Sequence, residues 1–190
     1  MKIYLIRHGQ DDETVRGGWS QSGLSSEGIQ QVKELTNKIQ ILNQTEKFSR
    51  IFSSDLPRAL ETAQPIAKNL NFEIDILPEF REFNNGLLAG MPNEEADRDY
   101  PNFRWAQLDW DEPYPQGESP CGFYYRIRKA WHNLLLDLHC SESVILVTHA
   151  AVMRIVSAIV SGENYTNKVE QMNFPYADFI VIELGGSSDD

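Results

Sequence analysis

Short apolar segments alternate with longer helical patterns along most of this chain, and that alternation limits its fold more than any other feature. The clearest segment, Val144 to Thr148, is almost wholly apolar, as strands buried on both faces of a sheet are. Between such segments, apolar residues recur every three or four positions, which is the spacing of one helix face. Strands that alternate with helices imply right-handed crossovers and a mostly parallel sheet covered on both faces. The sequence therefore predicts an α/β fold, a three-layer α/β/α sandwich.

The predicted elements can be placed along the chain. Strands are predicted at 2–6, 51–54, 72–77, 144–148 and 178–184. Ser25 or Ser26 is predicted to cap the first helix. The apolar helix positions are, in chain order, Ile29, Val32, Leu35 and Ile39; Leu60, Ala63, Ile66, Ala67 and Leu70; Phe123, Ile127, Trp131, Leu134, Leu135 and Leu138; and Val152, Ile155, Val156 and Ile159. Because the sequence has no internal repeat and no linker, residues 1–190 are expected to form a single domain.

One long stretch, roughly residues 83–118, breaks the alternation. It is rich in prolines and acids and contains two tryptophans. A segment this long and irregular within a compact domain is usually a functional lid, a binding loop or disordered, and its aromatic content favours an ordered lid. Its aromatic residues suit either a substrate wall or an anchor for the insertion, and both interpretations stay open: Tyr100, Trp105, Trp110 and Tyr114. The acidic run at 94–99 is interpreted as a solvated face.

Composition limits the partners. The formal net charge of -11 argues against broad binding to nucleic acid or anionic membranes, so a phosphate site would need a local basic cluster. No apolar run approaches the roughly 20 residues that span a bilayer. The N-terminus enters a strand directly without a signal-peptide pattern, and Cys121 and Cys140 form no metal or redox spacing. We therefore expect a cytoplasmic protein with free thiols; its oligomeric state is left open.

Basic residues follow three of the predicted strands. Arg7 and His8 end the first strand, Arg58 lies just past the second, and His149 ends the strand at 144–148. The carboxyl ends of parallel strands share one edge of a sheet, where ligands of α/β folds bind. Convergent arginines suit a dianion such as phosphate, and a neutral imidazole among them can attack phosphorus. Gly9 would let the backbone turn sharply beside this site.

Several dispersed motifs accompany these residues. They are Arg7-His8-Gly9, 24–28 with Gln31, 53–59 with 61–63, 117–119 and Val147-Thr148-His149. In this order they resemble the histidine phosphatase superfamily, also called the phosphoglycerate mutase-like family, and within it the phosphatases. The resemblance runs over nearly the whole chain and is far more specific than Arg-His-Gly alone.

The resemblance implies a role for each matching residue. His8 is expected to accept the phosphoryl group, while Arg7, Arg58 and His149 hold the phosphate and stabilise the charge on its oxygens. Because phosphoryl transfer depends mostly on positioning and electrostatics, such a site is expected to need no metal and no cofactor. The implied partner is a small phosphorylated molecule.

The resemblance also implies an acid that protonates the leaving oxygen. Glu82 is favoured because it precedes two glycines at a spacing typical of the family, and Glu79 is the rival. Burial should lift the pKa of this acid toward neutrality. Thr14 and Asn173 match family positions near the phosphate and are expected to help bind it.

Departures from the family pattern lie at the substrate end. Asp11 stands where Ser or Thr is frequent, Thr14 where Asn is, and Ala150 where Gly is usual; the frequent Trp near Leu88 is missing. Asp11 would repel a phosphate unless its side chain turned away. His132 and His139 lack ligand-like spacing and are interpreted as surface residues.

The sequence thus predicts a metal-independent phosphatase for small phosphomonoesters. A phosphoglycerate mutase-type transfer is the second candidate. The insertion has only Arg98 and Arg104 as cations among many acids, which disfavours substrates with a second anion and lets water take the phosphoenzyme. A weakly active binding or regulatory protein is the third interpretation, because Asp11 and the missing Trp alter the site.

Overall fold

A five-stranded sheet forms the centre of the computed structural model, which describes residues 1–139, 143–168 and 174–185. Its strands are β1 (Lys2–Arg7), β2 (Arg50–Ser53), β3 (Ile74–Ile76), β4 (Ser143–Thr148) and β5 (Phe179–Glu183). Their order is β3-β2-β4-β1-β5, and of the described strands only β5 runs antiparallel to its neighbour. The predicted mostly parallel sheet is confirmed.

Helices cover both faces of this sheet. They are α1 (Ser26–Glu46), α2 (Pro57–Leu70), α3 (Asn93–Asp99), α4 (Pro120–Asp137) and α5 (Ala150–Ser161). Alternate residues of β1 point to opposite faces: Tyr4 and Ile6 pack with α1 and α2, whereas Ile3 and Leu5 pack with α4 and α5. The three-layer architecture is therefore confirmed. No helix within the described ranges is long and apolar enough to cross a membrane.

In the first turn of α1, the buried position differs by one residue from the predicted position. Ser25 caps the helix by accepting from the backbone N–H of Gly28 at 3.0 Å. Ile29 is 48% exposed, and Gly28 faces inward in its place. The backbone of Gln10 packs so closely that a Cβ on Gly28 would lie 2.1 Å from its carbonyl oxygen. The close approach of two backbones, which apolar spacing does not reveal, sets the rotation of the helix here.

The third strand is shorter than predicted. Residues 72–77 alternate well, but only Ile74–Ile76 pair with β2. Strand β3 lies at the edge of the sheet and pairs with β2, which is itself four residues long. The partner's length therefore limits the strand more than its own sequence does.

The insertion is ordered and partly regular. It contains α3 and a short 3-10 helix at Gly86–Leu88. Phe83, Trp105 and Tyr114 lie in nearly parallel planes, with centroids 4.4 Å apart for Phe83 and Trp105. Trp105 is 8% exposed and Tyr114 is 4% exposed, so these rings bury most of their surface in the core. The burial of Trp105 and Tyr114 agrees with the anchor interpretation, while the substrate-wall interpretation stays open because both also line a cavity.

Candidate active site

The carboxyl edge of the sheet brings the predicted basic residues together. The backbone N–H of His8 donates to Thr148 at 3.0 Å, which joins the ends of β1 and β4. The His8 and His149 rings lie 5.1 Å apart between centroids, and Arg58 Nε is 3.2 Å from His8 Nε2. A cavity of about 200 Å³ opens in front of His8. We name it the His8 cavity; its lining includes Arg7, His8, Asp11, Arg58, Glu82 and Tyr176.

Hydrogen bonds set the state of the His8 ring. Its Nδ1 lies 2.7 Å from the carbonyl oxygen of Gly9, an acceptor, so Nδ1 carries the proton. The lone pair of Nε2 then faces the Nε–H of Arg58. Burial, and next the charge of Arg58, hold the pKa of His8 well below its usual value. The ring is therefore neutral at physiological pH and presents an unprotonated nitrogen, as a nucleophile must.

Arg58 is almost completely buried beside this nitrogen. Helix α2 begins at Pro57 and delivers the guanidinium, which is 2% exposed. It donates to the carbonyl oxygen of Gly18 at 2.8 Å and to the Ser20 hydroxyl at 3.3 Å. Gly18 has a φ of +58°, and a Cβ there would lie 2.0 Å from the Asn85 side-chain oxygen. Only glycine fits this position, so the loop that fixes Arg58 depends on it.

Arg7 enters the cavity from the other side. Its guanidinium donates to the carbonyl oxygen of Phe174 at 2.6 Å and lies 3.6 Å above the centre of the Tyr176 ring. Its Nε is buried and has no hydrogen-bond partner among the described residues. Arg7 is thus held in place while it keeps a free donor. Sequence reasoning missed Tyr176, which stands 169 positions away in the chain and belongs to none of the motifs.

His149 lies behind His8 at the end of β4. It is fully buried, and its Nε2 is 2.9 Å from the Ser54 hydroxyl. Its Nδ1 is buried and lacks a hydrogen-bond partner in the described part of the chain. Burial, followed by the charge of Arg58, keeps the pKa of His149 well below its usual value. The Ser54 hydroxyl accepts from the backbone N–H of Leu56 and donates its own proton to Nε2, so the proton of the neutral ring is on Nδ1. His149 is not among the residues that line the His8 cavity.

Glu82, and not Glu79, lies at the cavity. The Glu82 carboxylate accepts from the backbone N–H groups of Phe83 at 3.1 Å and Ala151 at 3.3 Å. Burial raises the pKa of Glu82 in spite of these donors and of Arg58. Glu79 is exposed and lines a separate cleft with Arg50. The geometry agrees with the choice that the glycine spacing favoured.

A clamp from distant parts of the chain holds the backbone of the acid. The carbonyl oxygen of Glu82 accepts from Trp19 Nε1 at 2.7 Å and from Arg126 at 3.0 Å. Arg126 also donates to the carbonyl oxygens of Glu79 and Arg81. Sequence reasoning assigned no role to Trp19 or Arg126. Arg126 in turn pairs with Glu118 at 2.6 Å. Of these three residues, only Glu118 belongs to a motif named in the sequence analysis, the one at 117–119.

Of the two remaining predicted phosphate ligands, the structure describes only Thr14, and it does not bring Thr14 to the cavity. Thr14 is exposed, and its hydroxyl donates to Asp12 at 2.6 Å instead of facing His8. Short loops favour such local bonds, in which a hydroxyl bonds a carboxylate two residues away. Asn173 lies outside the described residues. His132 and His139 are exposed, and the described ranges contain no cluster of three or more potential metal ligands.

A second cavity adjoins the first and involves the insertion. This outer cavity, of about 430 Å³, shares Glu13, Val15, Gly17 and Phe83 with the His8 cavity. Its other lining residues include Arg16, Asn85, Asn93, Phe103, Arg104, Trp105 and Tyr114. Arg16 and Arg104 both pair with one carboxylate, that of Asp97 on α3. Sequence reasoning considered only the cations of the insertion, Arg98 and Arg104. It therefore missed Arg16, which reaches the outer cavity from the loop after β1.

Known proteins share this sequence pattern and fold. The family model described as histidine phosphatase superfamily, branch 1, matches residues 3–188. Human 6-phosphofructo-2-kinase/fructose-2,6-bisphosphatase 1 is 31% identical over 160 residues, which are 82% of this chain and 32% of that protein. The chain therefore spans about a third of the length of that relative.

Two further comparisons cover most of both proteins. Phosphoglycerate mutase-like protein 4 of Arabidopsis thaliana is 32% identical over 162 residues, 80% of this chain and 68% of that protein. The structure of a mycobacterial glucosyl-3-phosphoglycerate phosphatase with VO3 superposes with a TM-score of 0.78 at 23% identity, covering 95% of this chain and 91% of the other. The superposition with the mycobacterial phosphatase, at 23% identity, establishes likeness of fold alone.

Proposed function

Because the chain belongs to the histidine phosphatase superfamily, we propose that it is a metal-independent phosphatase that hydrolyses small phosphomonoesters through a phosphohistidine at His8. One observation carries this proposal. An unprotonated His8 Nε2 faces a cavity that also contains the Arg7 and Arg58 guanidiniums and a buried carboxyl group on Glu82. These are a nucleophile, anion-binding groups and an acid.

In the first step, His8 Nε2 attacks the phosphorus atom and the bond from phosphorus to the ester oxygen breaks. Glu82 acts in its protonated form, which burial favours by raising its pKa; it gives its proton to the leaving oxygen, and the alcohol departs. Arg7, Arg58 and the Nδ1–H of His149 stabilise the charge on the phosphoryl oxygens.

In the second step, water attacks the phosphohistidine and the bond from nitrogen to phosphorus breaks. The Glu82 carboxylate takes the proton from the water molecule, which restores the acid. Phosphate leaves and neutral His8 is regenerated. The charge that the cavity residues supply is sufficient for both steps, because phosphoryl transfer requires positioning and electrostatic stabilisation more than covalent help.

The organic part of the substrate would lie in the outer cavity. Arg16 and Arg104 share Asp97, and Glu13 adds a negative charge, so this cavity supplies little net positive charge. That balance supports monoesters with an uncharged organic group over substrates with a second anion. The two arginines are also the observation that favours the second candidate, mutase-type transfer, since a phosphorylated acid needs cations for its carboxylate.

The test is a panel of phosphomonoesters incubated with the purified protein and a chelator. Phosphate release from esters with uncharged organic groups is expected, together with inhibition by vanadate. Efficient conversion of 3- to 2-phosphoglycerate, stimulated by the bisphosphate, would establish the mutase in its place. Activity that the chelator removes and zinc or manganese restores would contradict the metal-independent mechanism.

A further inference from the structure

Asp11 places a carboxylate inside the His8 cavity. Its Oδ2 lies 3.3 Å from Arg58 Nε, the same atom that donates to His8 Nε2 at 3.2 Å. The Asp11 side chain is 11% exposed. The side chain therefore does not turn away from the place where phosphate would bind.

The loop around Asp11 leaves it little freedom to move. Asp11 forms an antiparallel bridge with Leu24, and the carbonyl oxygen of Gln10 accepts from the backbone N–H of Ser25 at 2.8 Å. These bonds tie the loop to the segment that begins α1. The carboxylate therefore stays close to any phosphate bound at His8.

Charged and titratable groups surround Asp11, and two of them, His8 and Glu82, line the same cavity. Arg7 reaches Asp11 from the end of β1, Arg58 from α2, Tyr176 from the segment before β5, and Glu13 from its own loop. A dianionic phosphate together with the Asp11 carboxylate would bring three negative charges against the two guanidiniums. Acidic groups a few ångströms apart that cannot all ionise share a proton. Burial already raises the pKa of the Asp11 carboxyl, against the opposing effect of Arg58.

We propose that the complex with phosphate holds one additional proton, shared between the Asp11 carboxyl and a phosphate oxygen. Asp11 then donates a hydrogen bond to the phosphate in place of repelling it. The monoanion of phosphate brings this proton with it, whereas the dianion binds with uptake of a proton from solvent; no bond between heavy atoms changes. The cavity is thus specific for phosphate at the protonation level of the monoanion. This inference rests on the proposed function and adds a residue to its phosphate site.

The proposal fixes the sign of a pH effect. Below the pKa of free Asp11 the carboxyl is protonated already, and the wild type should bind phosphate about as well as Asp11→Asn does. Above that pKa the wild type takes up one proton more on binding than the variant does, so the ratio of its Kd to that of the variant should rise about tenfold per pH unit. The titration of free phosphate is common to both proteins and cancels from the ratio.

The experiment is calorimetric titration of inorganic phosphate into the wild type, Asp11→Asn and Asp12→Asn. Titrations run from about pH 5 to about pH 8, where phosphate approaches its dianion, in buffers of different ionisation enthalpy. At the alkaline end the wild type should take up about one proton more than Asp11→Asn does, and any uptake by Glu82 is common to both. Asp12 is the matched control, because it lines the same cavity from the adjacent position but is exposed, and its carboxylate accepts from Thr14.

Four results of these titrations would contradict the inference or the function on which it rests. A wild type that binds phosphate without proton uptake at the alkaline end overturns the inference, and that measurement requires no variant. Equal pH dependence of Kd in the wild type and Asp11→Asn overturns it as well. The same effect in Asp12→Asn would assign it to the combined negative charge of the cavity and would overturn the specific role of Asp11. A protein that fails to bind phosphate at any pH contradicts the proposed function itself.

Discussion

The His8 cavity and the insertion at 83–118 meet at Phe83, yet they are built in different ways. The basic residues of the cavity lie at the ends of strands and helices, where the sheet sets their positions, as for His8 after β1 and Arg58 at the start of α2. The insertion is held by contacts between side chains far apart in sequence, such as Trp110 with Tyr124 and Tyr165. The first arrangement suits chemistry, which needs fixed geometry, and the second suits recognition of a variable organic group.

The largest effect is expected for a change in the cavity. His8→Ala should lose turnover by at least about 100-fold while the protein stays folded, because the nucleophile is gone. The measurement is kcat with p-nitrophenyl phosphate, with circular dichroism to verify folding. His132→Ala, at an exposed position on α4, is the control and should keep its activity. A His8 variant that keeps more than about a hundredth of the rate would remove the covalent role.

Replacing the acid Glu82 should reduce the rate of hydrolysis by a factor that depends on the leaving group. Glu82→Gln should slow hydrolysis of alkyl phosphates by about 100-fold or more and spare p-nitrophenyl phosphate, whose phenolate leaves unaided. Since burial raises the pKa of Glu82 and its protonated form is the active one, wild-type activity on alkyl esters should fall as pH rises through that pKa. Glu79→Gln is the matched control, and a selective loss there would show that the acid is misassigned.

Arg126 should connect the two regions. Arg126→Met keeps an unbranched side chain but removes the donors to three carbonyl groups, those of Glu79, Arg81 and Glu82. We expect kcat on alkyl phosphates to drop about tenfold with little change in KM, because a misplaced acid transfers its proton less well. Arg128→Met, exposed on the same helix, is the control. An equal loss on p-nitrophenyl phosphate would mean that Arg126 does not act through Glu82.

The smallest effect is expected in the outer cavity. Arg104 is 52% exposed and pairs with Asp97, so Arg104→Gln should change KM by about threefold or less and leave kcat unaltered. The steady-state parameters of one good substrate measure this. Arg98→Gln is the comparison, since Arg98 pairs with Asp99 on α3 and lines neither cavity. A large loss of kcat in Arg104→Gln would favour the mutase-type reaction. It would also show that the insertion takes part in the chemistry and not only in substrate recognition.

The same contrast explains how much the sequence could predict. The strand ends, the alternation of β1 and the positions of His8, Arg58 and His149 follow from local patterns and short motifs, so they were predictable. Tyr176, Trp19 and Arg126 reach the site through tertiary packing, which leaves no periodic signal in the sequence. Gly28 took the inward place expected for Ile29 because two backbones approach each other.

The predictions on Thr14 and Asp11 illustrate the same limit from within a motif. Their expected effects, phosphate binding by Thr14 and repulsion by Asp11, were inferred from their positions after His8. A loop, however, can satisfy the hydrogen bonds of its polar groups locally. Thr14 bonds Asp12, whereas Asp11 turns inward onto Arg58. The side-chain directions in such a loop depend on the hydrogen bonds that its neighbours offer, and spacing alone does not determine them.

The central claim is that a covalent phosphoenzyme forms on His8. The direct measurement is mass spectrometry of peptides from protein quenched in alkali during turnover, since the phosphoramidate bond survives alkali. The account predicts one added HPO3 unit on the peptide that contains His8, its loss when turnover ends, and none in His8→Ala. Phosphate release at the full rate with no such adduct, or an adduct on His149, would contradict it.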